Sequence, residues 1–193
     1  MIKLKHLPLQ DWTTTSEFGN RDYKPNPWHN GIDGRAVTGT SVYAVADGTV
    51  KVAKDNPTGY GLYIVINHGS FGSLYAHLSK FNVSVGEELK AGTIIGYSGN
   101  TGACAGPHLH FELRECEYKD FWDRCKFDKS VYMRCVDPFP YFMELYDRNN
   151  LSIEQSKRIV KEHAELSDST IDYLANDYKY GNDLIVKLAK AIR

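Results

Sequence analysis

Between Ser41 and Leu113 the chain alternates short apolar runs with glycine-bearing turns. The runs SVYAVA, TVKVAK, LYIVIN, SLYAHL, TIIGYS and LHFELR are rich in Val, Ile, Tyr and Thr, and apolar positions often alternate with polar ones. A period of two is the signature of half-buried strands, and Gly48, Gly59, Gly61, Gly69, Gly92 and Gly102 punctuate them as turns. The fold class expected is mainly β, built on an antiparallel sheet.

After Tyr141 the period lengthens. Ser152 and Gln155 form a capping box that would open a helix with Ile153, Ile159, Val160 and Ala164 on its apolar face. A second helical stretch runs near Thr170 to Tyr178, and Gly181 with Asn182 then breaks the chain. The last run carries a stripe of Leu184, Ile185, Leu188, Ala189 and Ile192, with Lys187, Lys190 and Arg193 toward the negative end of the helix dipole. Two parts are expected: a β domain over residues 1–142 and a small C-terminal α-helical module over 143–193. Residues 115–136, charged and aromatic without clean alternation, read as an insertion in the first part.

Composition adds exclusions. With 193 residues, 42% hydrophobic and 24% charged, the chain suits one sizeable core plus an appendage. Its 23 Lys and Arg against 24 Asp and Glu leave a net charge of -1, so no surplus positive charge draws it to nucleic acid or to an anionic membrane. The opening MIKLKHLPLQDW has no apolar segment of the secretory kind, and no later run reaches the length of a membrane span. Four cysteines, Cys104, Cys116, Cys125 and Cys135, contain no C-x-x-C pair. Free thiols, one or two disulfides, or a second, structural metal site are the readings they leave open.

The histidines carry the chemistry. His29 and Asp33 stand four apart in WHNGIDGRA, and His108 and His110 stand two apart in GPHLHFEL. On a strand the latter pair projects from one face and can converge on one ion. A catalytic zinc site needs three N or O ligands and an open position for water. His29, Asp33 and one histidine of the H-x-H pair supply that count. The other histidine of the pair, with His77 in LYAHLS, is suited to moving protons near neutral pH. His68, closing a strand in VINHG, reads as structural, and His6 and His163 as ordinary surface or partly packed residues.

Together these segments resemble a known family. FGNR at Phe18, HNGID at His29, GTSVYAVADGTV at Gly39, YAHLS at Tyr75, VSVGEELKAGTIIGYSGNTG at Val83 and GPHLHFEL at Gly106 look like the lysostaphin-type zinc endopeptidases, also called LytM or M23 peptidases. The resemblance covers roughly residues 16–142 and closes on DPFPYF. It implies an antiparallel β-sheet with a groove, one zinc ion held by His29, Asp33 and His110, and His77 and His108 flanking the metal as catalytic groups. It also implies a tyrosine leaning over the site, for which Tyr23 is the best placed and Trp28 and Tyr60 are alternatives. Cys104, in the loop before H-x-H, reads as a packed or disulfide-bonded residue rather than a surplus soft ligand.

The activity implied is zinc-dependent hydrolysis of peptide bonds in bacterial peptidoglycan, in a cross-bridge or a stem peptide, by a monomer acting in cell wall lysis. Without a secretory signal, such an enzyme would be made in a host cytoplasm and reach the wall through holin release, lysis or virion delivery. That pattern suggests a bacteriophage endolysin or virion-associated lysin, an antimicrobial agent whose helical tail docks phage or virion proteins. The rival readings are a catalytically inactive LytM-like domain that binds the wall or activates other hydrolases, and a structural component of a phage tail tip.

Overall fold

The runs of period two become strands. The computed structural model describes residues 2–22, 27–115, 135–149, 157, 160–161, 167–172, 174 and 181–192. Its strands are β1 (Thr14–Ser16), β2 (Gly19–Asn20), β3 (Trp28–His29), β4 (Ile32–Arg35), β5 (Ser41–Tyr43), β6 (Gly48–Asn56), β7 (Gly61–Asn67), β8 (Gly72–Phe81), β9 (Glu88–Leu89), β10 (Ile94–Ser98), β11 (His108–Arg114) and β12 (Cys135–Val136). The helices are α1 (Phe139–Asn149), α2 (Asp168–Asp172) and α3 (Gly181–Ile192). Contacts divide the chain into two compact units, Met1–Tyr141 and Phe142–Arg193. Among the described residues no helix is long and apolar enough to cross a membrane.

Among the described residues, the first unit is built on an antiparallel sheet of ten strands, with main path β1-β4-β11-β8-β7-β6-β9. Strand β10 joins β5 to β8, β12 lies on β11, and β2 and β3 pair separately. The centre of the sheet is buried on both faces: Ile64, Val65 and Ile66 of β7 and Leu74, Tyr75 and Ala76 of β8 are all fully enclosed. Burying each of the larger aliphatic side chains contributes about 1.5–3 kcal/mol before entropy is counted. Trp12 is fully buried too, its ring meeting Phe111 of β11 edge-on at 6.3 Å between centroids. This fastens the N-terminal arm to the strand that carries both H-x-H histidines.

One apolar run ends early as a strand. In SVYAVA only Ser41–Tyr43 is ladder-paired as β5. Ala44 bonds instead to Thr93 and Gly92, and the Val45 carbonyl accepts the N–H groups of Lys5 and His6. The run is buried, as its hydrophobicity requires, but it is covered by the arm rather than by a strand.

Helix α1 opens where Asp137 Oδ1 accepts the Phe139 N–H at 3.0 Å with Pro138 between them. That is an N-cap followed by proline in the first turn, so DPF is a helix start. The second unit holds a cluster of Val160, Ile171, Ile185 and Ala189, with Leu174 and Leu188 packed against it. Two details of the expected stripe differ. Gly181 and Asn182 lie in the first turn of α3 rather than before it. Val186 is buried while Leu184 is 37% exposed, because the buried face is turned by one residue. The capping-box residues Ser152 and Gln155 lie outside the described residues, as do 116–134 of the expected insertion, with Phe121 and Trp122.

His68 has a purely structural setting. Its Nδ1–H donates to the Asp47 carbonyl at 2.8 Å, Nε2 lies 2.8 Å from Ser73 Oγ, and the ring stacks on Phe71. Burial lowers its pKa to about 4 from the usual 6.5, against weaker opposing effects of Asp47. The unfolded chain therefore binds more protons than the folded one between these values, and stability rises with pH across that window. We expect the fold to lose on the order of 2–3 kcal/mol from this residue as pH falls from 6.5 toward 4. Urea midpoints at pH 7 and pH 4.5 should differ less in His68→Asn than in the parent; equal differences would refute the assignment.

Candidate active site

Register brings the candidate residues together. In the β4–β11 ladder Asp33 lies directly opposite His110, and in the β11–β8 ladder His110 lies opposite Ala76, beside His77. Close approach of β4 to β11 depends on Gly31, the glycine of HNGID, where a Cβ would sit 2.1 Å from the Phe111 carbonyl oxygen. His29 is brought in by β3, whose partner strand places Gly19 against it.

His77 marks a change of partner. Strand β8 pairs with β11 through Gly72–Ala76 and with β10 from Leu78 onward, and its register against β7 slips between Tyr75 and Leu78. His77 sits in this bulge with φ 60, among the described residues the one non-glycine at positive φ. The Tyr60 carbonyl accepts its N–H at 2.8 Å. A bulge beside a site re-aims a side chain, and here it holds His77 in a strained conformation.

The polar atoms of three residues converge. His29 Nε2 lies 2.9 Å from His110 Nδ1 and 3.2 Å from Asp33 Oδ1, and His110 Nδ1 lies 2.9 Å from that same oxygen. All three residues are at most 8% exposed. Their other nitrogens are already committed: His29 Nδ1 to the Glu17 carbonyl at 2.7 Å, and His110 Nε2 to Glu112 Oε1 at 3.1 Å. Those partners only accept, so in neutral imidazoles the protons sit there and the lone pairs of His29 Nε2 and His110 Nδ1 face each other and a carboxylate oxygen. Three lone pairs aimed at one buried point repel unless a cation lies between them. The edges of this triangle are close to the roughly 3.3 Å edge of a tetrahedral zinc site with Zn–N near 2.0–2.1 Å.

Electrostatics agree with a site made for positive charge. Burial opposes a charged His110, yet Asp33 and Glu112 together raise its pKa to about 9. Burial likewise opposes an ionised Asp33, but His110 and His29 hold its carboxyl well below the usual range.

The two flanking histidines have the same orientation logic. His77 Nδ1–H donates to the Thr101 carbonyl at 2.8 Å, and His108 Nδ1–H to the Gly106 carbonyl at 2.9 Å, leaving each Nε2 with its lone pair. His108 Nε2 stands 3.6 Å from Asp33 Oδ1, and the His77 and His108 rings are 4.8 Å apart. Burial lowers the His77 pKa to about 4, so it is a neutral base at physiological pH. The Thr101 carbonyl is fixed by crossing loops: at Gly61 (φ 61) a Cβ would lie 2.3 Å from the Thr101 backbone, and at Gly102 (φ 77) 2.2 Å from Gly61 N. Cys104 carries a free thiol, its S–H donating to the Gly106 carbonyl at 2.9 Å, with Sγ 3.3 Å from His108 Nδ1. Burial pushes that thiol up.

Behind the metal-type cluster lies a group that motif reading does not single out. Glu112 is fully buried and saturated: Oε1 accepts from Tyr60 Oη at 2.6 Å and from His110 Nε2, and Oε2 accepts from Arg114. Burial raises its pKa, but Arg114, His110 and Tyr60 overcome this and bring it to about 2. A carboxylate on the far nitrogen of a ligating histidine fixes its tautomer and strengthens it as a donor. Tyr60 thus spends its hydroxyl on Glu112 rather than leaning over the site. Trp28 is 43% exposed and meets Phe18 edge-on beside His29. Tyr23 lies outside the described residues.

A buried two-histidine, one-carboxylate cluster with two further histidines presenting free nitrogens is consistent with the site of a metal-dependent hydrolase. The chain belongs to peptidase family M23, the zinc metalloendopeptidases related to lysostaphin, whose family model matches residues 27–122. It is 33% identical to the catalytic domain of lysostaphin from Staphylococcus simulans, with TM-score 0.57, covering 67% of this chain and 91% of that domain. The catalytic domain of the prophage-encoded M23 protein EnpA from Enterococcus faecalis is 27% identical, with TM-score 0.55, covering 70% of this chain and 95% of that one. Among curated relatives, the peptidoglycan DD-endopeptidase ShyA of Vibrio cholerae is 42% identical over 107 residues, 53% of this chain. The matched region spans about a quarter of ShyA's length.

Replacing Glu112 by Gln should weaken metal binding about 10- to 100-fold in titrations against a competing chelator, with melting followed alongside to confirm a folded protein. Unchanged affinity in a folded variant would remove Glu112 from the site.

Proposed function

We propose that this chain is a zinc-dependent endopeptidase that hydrolyses peptide bonds of bacterial peptidoglycan, in a cross-bridge or a stem peptide. The observation that carries this is the convergence of His29 Nε2, Asp33 Oδ1 and His110 Nδ1 within 3.2 Å of one another, beside the free nitrogens of His77 and His108. The wall peptide as substrate rests on the likeness to ShyA, a peptidoglycan DD-endopeptidase.

In this reading His29, Asp33 and His110 hold one zinc ion, which when bound supplies Lewis acidity for the scissile carbonyl and for water. The rest falls to the chain. His77, neutral and anchored through Nδ1–H on Thr101, accepts a proton at Nε2 from the attacking water. His108, anchored on Gly106, orients the same water, and once protonated the pair stabilises the oxyanion and returns a proton to the leaving amine. Glu112, in salt bridge with Arg114, keeps His110 in register throughout.

The setting we propose is a bacteriophage endolysin or virion-associated lysin, reaching the wall by holin release, lysis or virion delivery, with the helical unit as a docking element. The support is the likeness to a prophage-encoded M23 protein. Holin or tail genes beside the coding sequence are expected; a coding sequence extended by a secretory signal would overturn this setting.

His29→Ala and Asp33→Ala should lose stoichiometric zinc and wall lysis together. His77→Ala should keep its zinc while activity falls by about 10²- to 10⁴-fold in a turbidity assay on purified walls. Full lysis by His77→Ala would remove it from catalysis. Digestion of defined muropeptides, read by mass spectrometry, names the bond, and intact muropeptides would favour an inactive wall-binding or tail-tip role.

A further inference from the structure

Cys104 is not used by the chemistry above, yet it stands among groups that are. Donor atoms of His77, Cys104 and His108 lie within 4.8 Å of one another, as a second cluster beside His29, Asp33 and His110. Cys104 Sγ lies 3.3 Å from His108 Nδ1, near the roughly 3.5 Å S···N edge of a tetrahedral site with Zn–S near 2.3 Å, so His108 would ligate there through Nδ1 once its proton has moved to Nε2. One thiolate and two imidazoles form a donor set that selects zinc and its softer congeners over magnesium or calcium.

We propose that His77, Cys104 and His108 form a second, weaker site for a soft divalent cation of the zinc and cadmium class, and that filling it switches the enzyme off. The site is weaker for two structural reasons. Its donors, gathered within 4.8 Å of one another, must draw together to reach tetrahedral edges. Cys104 must also give up its proton and His108 its tautomer, and both their hydrogen bonds to the Gly106 carbonyl. The first point is met by the loop: Cys104 lies between β10 and β11, close to Gly102 and Gly106, whereas His29, Asp33 and His110 all stand on strands. Inhibition follows because the second ion engages the two histidines that otherwise exchange protons with water and the leaving amine. That consequence rests on the function proposed above, whereas binding does not.

The two are separated by one experiment on the full 193-residue chain stripped of metal. Cadmium is titrated in while the ultraviolet thiolate-to-cadmium charge-transfer band is followed. We expect two equivalents to bind, the first without the band and the second with it. Cys104→Ser should bind one equivalent and show no band. With one zinc loaded, its peptidase activity should equal the parent's, and half-inhibition by added zinc should need a concentration at least about tenfold higher. One equivalent in the parent, or a band unchanged in Cys104→Ser, would overturn the site. A band lost in Cys104→Ser without zinc inhibition in the parent would keep the site and instead count against the catalytic roles of His77 and His108.

Discussion

The placement of β11 between β4 and β8 is the constraint on which everything else in the site rests. His110 faces Asp33 across one ladder and Ala76 across the other, so a single strand aligns a donor with a carboxylate on one side and with the His77 bulge on the other. Side chains alternate across a sheet, so a slip of one residue would send His108 and His110 to the opposite face and Leu109 and Phe111 toward the site. The core forbids that slip. Leu109 and Phe111 are fully buried on the other face, Phe111 against Trp12 and Tyr75, and moving them would surrender several kcal/mol of apolar burial. The hydrophobic residues interleaved with the histidines are therefore what hold the histidines in place.

A second theme is how little of the site's polarity is left to choice. Four histidines each have one nitrogen tied to an acceptor: the carbonyls of Glu17, Thr101 and Gly106 for His29, His77 and His108, and the Glu112 carboxylate for His110. Each tie fixes a tautomer, and each tautomer leaves a lone pair free. Only His110 receives a full negative charge behind it, and that charge is itself balanced by Arg114. Glu112 is balanced by Arg114, and a cation at the point where the donor lone pairs meet Asp33 would leave neither buried carboxylate uncompensated.

Much of this could be read in the sequence, for identifiable reasons. His108 and His110 share a face because strands have a period of two, and the runs that became β6, β7, β8, β10 and β11 showed that period directly. His29 and Asp33 were legible through the spacing of their motif. What could not be read depends on contacts between distant segments. Glu112 looks like an ordinary outward residue of a strand until Tyr60 and Arg114 are seen to enclose it. The bulge at His77 arises from a slip against β7, which no local pattern announces. Tyr60 could be nominated for the catalytic face only because its hydroxyl bond to Glu112 was invisible. The start of α1 was present in the residues Asp137, Pro138 and Phe139 as a cap and a first-turn proline, a signal overshadowed by the family ending it also matches.

Under the proposed function, the backbone at His77 places activity and robustness in opposition. With φ at 60, this position suits glycine or asparagine better than an imidazole-bearing residue, at a cost of about 1–2 kcal/mol. Optimising the fold alone would therefore erode the residue assigned to proton transfer, and a variant gaining heat resistance here would do so by disarming itself. In this sheet the least comfortable residue is also the one of which the proposed chemistry asks most, and the ladders around it absorb the discomfort.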